Sequence, residues 1–155
     1  RRIATARTNE EILFDGFGTS KALDNPYFKD SIRLFLNQVP NIDTVLFNNG
    51  LHGWHLDDET EYKVLYDEMI QFILSEIKGA RLYILLITAV ENNEDNKRVK
   101  IRNTAAREVA EKYSIPVIDL YDITSANISE ISPDGIHSTE PLYEKIADEI
   151  IRNIR

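Results

Sequence analysis

The sequence predicts an α/β fold, a three-layer α/β/α sandwich in which one parallel sheet carries helices on both faces. Three observations lead there. Short apolar runs alternate with helix-period stretches of roughly 10–20 residues, the pattern of β-α-β units. The run Leu82–Thr88 is apolar on both faces, as a strand covered from both sides must be. Polar clusters follow the apolar runs, at Gly16–Ser20, Asn48–His55 and Asp134–His137. In open α/β sheets, ligands bind at the carboxyl ends of the strands, so three such loops at one end make a site.

The elements follow in order. Residues 1–10 are polar and basic and read as the tail of a helix. Glu11–Phe14 reads as a short buried strand, ended by Gly16-Phe17-Gly18. Asn25-Pro26 starts a helix, with a capping side chain before a proline. Phe28, Ile32, Phe35, Leu36 and Val39 continue it at helical spacing to Pro40. Thr44–Phe47 is the next strand and runs into Asn48-Asn49-Gly50-Leu51-His52-Gly53-Trp54. A helix from about Asp58 carries Tyr62, Leu65, Met69, Phe72, Ile73 and Ile77 on one face and closes at Gly79. After the strand Leu82–Thr88 comes a polar loop and a helix ending near Tyr113. Ile115–Ile118 is the fourth strand, leading to Asp119-Leu120-Tyr121. A last helix carries Leu142, Ile146, Ile150 and Ile154. No repeat or linker interrupts residues 1–155, so they form one domain.

Composition narrows the function. With 43% hydrophobic and 28% charged residues the chain is globular rather than disordered. Its net charge of -8 argues against nucleic acid and anionic membranes as partners. The absence of cysteine removes disulfides and thiolate catalysis and leaves the compartment open. No apolar run is long enough to span a bilayer. The chain opens Arg1-Arg2-Ile3, without an initiator methionine or an apolar leader, which is expected of a processed chain or a fragment.

The chemistry concentrates in Ser132-Pro133-Asp134-Gly135-Ile136-His137-Ser138-Thr139. Pro133 and Gly135 exclude a helix, so Asp134 and His137 share a tight loop. There the carboxylate reaches the near ring nitrogen of the histidine, fixes its tautomer and leaves the far nitrogen basic. The plainer reading is a capping loop whose histidine satisfies a carbonyl. Asn48, Asn49 and His52 stand at a strand's carboxyl end, where Asn-Gly is also a common turn. His52, His55, Asp57 and Asp58 do not hold zinc spacing, and no metal or cofactor is expected. Gly16-Phe17-Gly18 lacks the glycines or the Gly-Lys-Ser/Thr that complete a phosphate loop. Ser20, after a strand and a glycine turn, is the one serine placed as a nucleophile could be.

Taken together these residues resemble the SGNH, or GDSL-type, serine hydrolases, in the bacterial branch carrying Asn-Asn-Gly-Leu-His-Gly-Trp. Asp134-Gly135-Ile136-His137 resembles the last block, with the triad Asp and His. Asn48–Trp54 resembles the third block, whose polar side chain donates to the oxyanion. Gly18–Leu23 resembles the second block, whose glycine gives a backbone N–H to the same hole. Asn103, Ala106 and Asp119-Leu120-Tyr121 also sit where this branch has them. The chain departs from the family twice. His52 occupies the place of the third block's asparagine, and the first block, the strand running into Gly-Asp-Ser, is absent.

The resemblance implies a flavodoxin-like sheet and a serine ester hydrolase acting on an O-acyl ester, acetyl foremost, of a carbohydrate or another small molecule. His137 and Asp134 are its catalytic pair, and Gly18 with Asn49 or His52 stabilises the oxyanion. The neighbours of Ser20 match the second block better than the first, so the nucleophile is expected outside this chain. The alternative is an inactive hydrolase-like domain that binds a glycan or a protein. In the family's strand order, 2-1-3-4-5, the missing strand lies between Ile12–Phe14 and Thr44–Phe47. It is expected upstream of Arg1, from another chain, or replaced by Ile12–Phe14 in a four-stranded sheet, the first being favoured.

Overall fold

In the computed structural model, which describes residues 1–155, three parallel strands form one sheet in the order β1-β2-β3. They are β1 Thr44–Phe47, β2 Arg81–Leu85 and β3 Val117–Ile118. Phe47 lies opposite Ile84, and Ile84 in turn opposite Val117. The helices are α1 Arg2–Arg7, α2 Phe28–Gln38, α3 Glu59–Glu76, α4 Asn93–Lys112, α5 Leu120–Ala126 and α6 Glu140–Ile154.

Alternation along β2 sorts the helices into two layers. Leu82, Ile84 and the following Leu86 face α2, α3 and α4, in a core that includes Phe47, Met69, Ile73 and Val109. Tyr83 and Leu85 face the other way, against Ile118, Leu120 and the α6 residues Ile146, Ile150 and Ile154. α1 lies on α6 through Ala4, Ala147 and Ile151, and Arg7 grips Asp148 with both ends of its guanidinium fork. Sheet and helices thus form three layers, as expected.

Side-chain caps set three of the six helix starts. Asp58 accepts from Glu61 N at 2.8 Å to begin α3, and Asn92 accepts from Glu94 N and Asp95 N to begin α4. Asn25 accepts from Tyr27 N at 3.0 Å, which makes a turn rather than a helix, and α2 begins later, at Phe28. Asp119 accepts from Asp122 N at 3.0 Å and so starts α5, where the sequence suggested only a strand exit.

The expected strand at Ile12–Phe14 does not form. Its donors go to threonines: Ile12 N to Thr8 Oγ1 at 3.3 Å and Phe14 N to Thr5 Oγ1 at 3.1 Å. Ile12 and Phe14 pack on the α6 side while Leu13 is 79% exposed. The side chains alternate as in a strand, but no ladder partner lies alongside. The four-stranded alternative is therefore not the one adopted, and β1 is an edge of the sheet. β2 and β3 are shorter than the apolar runs that announced them, because the segment after β2 is held by side chains. Ile87 N donates to Asn103 Oδ1 at 2.8 Å, and Asn103 Nδ2 returns a bond to Ile87 O at 2.9 Å. Ala89 N donates to Thr124 Oγ1 at 2.8 Å.

Candidate active site

The Asp134–His137 loop is closed at its base by an antiparallel bridge between Ile131 and Ser138. Gly135, at φ +74°, makes the reversal that a side chain would resist. Asp134 Oδ1 accepts from His137 N and Ile136 N, both at 2.9 Å, and from Ser132 Oγ at 3.1 Å. Its other oxygen lies 2.6 Å from His137 Nδ1. The backbone N–H groups of His137 and then Ile136, followed by the His137 ring, hold the Asp134 carboxyl far below the usual carboxylate range. With Asp134 ionised, its Oδ2 accepts from a proton carried on Nδ1, the tautomer that leaves Nε2 free. His137 is exposed, and its Nε2 has no hydrogen-bond partner within the chain.

The loop after β1 is held from within. Asn48 Nδ2 donates across the sheet to Leu85 O at 2.9 Å. Arg102, 3% exposed on α4, lies 4.7 Å from the centroids of both the Trp54 and Tyr62 rings. It donates to Gly53 O at 2.6 Å and His52 O at 3.2 Å. Arg98 stacks on Trp54 at 4.4 Å and donates to Trp54 O and to Asp57. Burial, and then the neighbouring Arg98, pull the Arg102 guanidinium below its ordinary pKa, and Tyr62 and Asp57 work against that pull. The sequence reading passed over both arginines. The available signal was Arg102 beside Asn103 and in register with Val99, Ala106 and Val109, an arginine on the face that α4 buries.

The loop after β1, the segment after β2 and the Asp134 loop meet at the carboxyl end of the sheet, while no hydrogen bond joins Gly16–Ser20 to the Asp134 loop. The Gly18–Leu23 stretch reaches the loop after β1 through Ala22, which packs against Gly53, and through Asp24, whose carboxylate lies 2.8 Å from His55 Nε2. Glu91 N donates to Gly135 O at 3.0 Å, tying the segment after β2 to the Asp134 loop. A cleft of about 350 Å³ opens between them, walled by Leu51 and Trp54, by Val90–Asn92 and Asp95, and by Pro133–Ile136. Asp134 lines it. Among the remaining candidates, Gly18, Ser20 and His52 are exposed, while Asn49 is buried. Gly18 has open space where a side chain would stand. His55, Asp57 and Asp58, weighed earlier as metal ligands, are engaged with Asp24, Arg98 and the α3 N-terminus.

Asn49 and Tyr62 form a buried polar pair without partners. Both side-chain atoms of Asn49 and the Tyr62 hydroxyl lack hydrogen bonds. The two side chains interact, but outside hydrogen-bonding geometry. Burial pushes the Tyr62 hydroxyl up to about 12, against the smaller opposing pulls of Arg102 and Asn49. The group is neutral when folded and ionises more readily when unfolded, near pH 10. Its contribution is therefore complete below pH 10 and is lost as pH rises from 10 toward 12. Tyr62→Phe removes an unsatisfied hydroxyl, so it should raise stability by about 1 kcal/mol at pH 7 and flatten the alkaline loss. Urea melts at pH 7 and pH 11 measure both; a destabilised phenylalanine variant would show that the hydroxyl is satisfied.

No protein-family model and no curated protein matches the chain. Solved structures do, and what they share with this chain is its α/β fold. A member of the lipolytic G-D-S-L family from Veillonella parvula superposes with a TM-score of 0.73 at 15% identity, over 98% of this chain and 85% of that one. The acetyl xylan esterase AlAXEase gives 0.69 at 15%, over 97% and 86%. A lipase/acylhydrolase from Enterococcus faecalis gives 0.64 at 19%, over 87% and 71%.

Proposed function

We propose that this chain is the His-Asp part of a serine ester hydrolase of the SGNH type, acting on an O-acyl ester, an acetyl ester of a carbohydrate or another small ester. The observation that carries the reading is the Asp134–His137 pair: a 2.6 Å contact to Nδ1, with the other carboxylate oxygen held by three further donors. His137 Nε2 takes the proton of a serine hydroxyl as it attacks the ester carbonyl, then returns it to the departing alcohol. Asp134 keeps the ring in the productive tautomer throughout. The cleft beside Asp134 takes the alcohol side of the ester, with Trp54 and Leu51 as its apolar wall.

The serine comes from a strand seated against the open edge of β1. Supplying such a strand, as a Gly-Asp-Ser segment fused to or mixed with these residues, should produce hydrolysis of p-nitrophenyl acetate that the chain without it lacks. Ser20→Ala should leave that rate unchanged. Turnover by the chain without the segment that disappears in Ser20→Ala would instead make Ser20 the nucleophile. A second reading, an inactive domain that binds a glycan or a protein, is favoured by the lack of any serine hydroxyl bonded to His137 Nε2. It would hold if the strand binds and no ester is cleaved.

A further inference from the structure

Four consecutive carbonyls of the loop after β1 turn onto two guanidinium groups. Arg102 takes Gly53 O at 2.6 Å, His52 O at 3.2 Å and, most weakly, Leu51 O at 3.5 Å, and Arg98 takes Trp54 O. Every peptide bond in the chain is trans. In a planar trans peptide the C=O of one residue and the N–H of the next point in opposite directions. The N–H groups of His52, Gly53, Trp54 and His55 therefore point away from the arginines. None of them donates to an acceptor in the chain.

Arg102 is buried while His52 and His55 are exposed, so the free donors face outward. Each peptide carries a dipole of about 3.5 D. With their negative ends on guanidinium groups, these peptides present their positive ends to whatever lies outside, as helix N-termini and backbone nests do for anions. Two carboxylates stand at its margins, Asp24 beside His55 and Asp57 beside Arg98. The Asn49 side chain, expected as a donor to the same charge, is 6% exposed and stays inside.

We propose that the N–H groups of His52, Gly53 and Trp54 receive the negatively charged oxygen of a carboxyl-derived group, and that Arg102 is the positioning residue that aims them. The proposal rests on the hydrolase reading only for the source of that oxygen: the tetrahedral intermediate of ester cleavage or the carboxylate released. Binding needs no nucleophile, so the 155-residue chain can be tested as it is. Isotope-labelled protein is titrated at constant ionic strength with acetate, a released carboxylate, and with methylphosphonate, a tetrahedral mimic.

The amide resonances of residues 52–54 should move together and saturate on one curve. Tighter binding of methylphosphonate assigns the face to the intermediate, and tighter binding of acetate assigns it to the product. Arg102→Gln should weaken binding about tenfold or more. Arg102→Lys, a point charge in place of a fork, should recover only part of it. If Arg102→Gln does not fold, Arg102→Lys should still bind more weakly than the unaltered chain, and equal affinity would overturn the proposal. Absent or dispersed shifts, or unchanged affinity in a folded Arg102→Gln, would overturn the proposal. Ester turnover without these shifts sinks this inference alone; shifts without turnover in the strand-completed protein sink the hydrolase reading alone.

Discussion

His137→Ala should abolish ester hydrolysis in the strand-completed protein, lowering kcat by about 10⁴-fold or more with little change in melting temperature. The magnitude is that of removing a general base whose nucleophile is a neutral hydroxyl. The small structural effect follows from exposure: the His137 ring is open to solvent, and its backbone N–H, which holds Asp134, survives the substitution. Asp134→Asn should cost a comparable factor in kcat. An amide at Oδ2 donates where a carboxylate accepts, so the imidazole would carry its proton on Nε2 and lose its basic face.

The two variants separate on stability. Asp134 has its folded pKa depressed by the donors around it. That contribution is present above the unfolded value, about 3.9, and is lost as pH falls through the lower folded value. Asp134→Asn should therefore flatten the acid limb of the stability profile, and His137→Ala should leave most of that limb in place. Retained turnover in either variant would mean that the loop has no catalytic part.

Gly53→Ala should be the most damaging of the glycine-to-alanine substitutions. Gly53 sits at φ +82°, and a Cβ placed there would lie 2.7 Å from Ala22 Cβ. The left-handed backbone costs a non-glycine residue roughly 1–2 kcal/mol, and forced overpacking adds about 1–3 kcal/mol. A loss of about 2–5 kcal/mol is expected, together with release of the Gly53 carbonyl from Arg102. Thermal melts of Gly53→Ala, Ala22→Gly and the double variant separate the parts. The double variant should recover the steric share and leave the backbone share. Additive losses would show that the two residues do not meet.

Much of this architecture was legible beforehand, for identifiable reasons. β1 and α3 obey the expected periods because Phe47, Met69 and Ile73 face one shared core. The Asp134–His137 contact was legible because Pro133 and Gly135 leave the chain few ways to run. Ile12–Phe14 misled because side-chain alternation reports which face is buried and says nothing of a ladder partner. Two threonines supplied what a neighbouring strand would have given. α5 was missed because the capping role of Asp119 cannot be distinguished, in sequence, from a polar residue leaving a strand. Arg102 was missed because an arginine among helix residues reads as surface. Only the fold shows that its partners are carbonyls some 50 positions earlier in the chain.

The grip of α1 on α6 also sets a timetable for folding. Arg7 and Asp148 stand 141 positions apart. Closing a loop of that length costs about 4 kcal/mol of chain entropy beyond the constant term. During synthesis the layer of α2, α3 and α4 on β1 and β2 can assemble from residues already made. Residues 1–14 cannot settle until α6, which follows them by more than a hundred positions, has emerged to receive them. Thr5 and Thr8, and through them Ile12 and Phe14, wait on the same event.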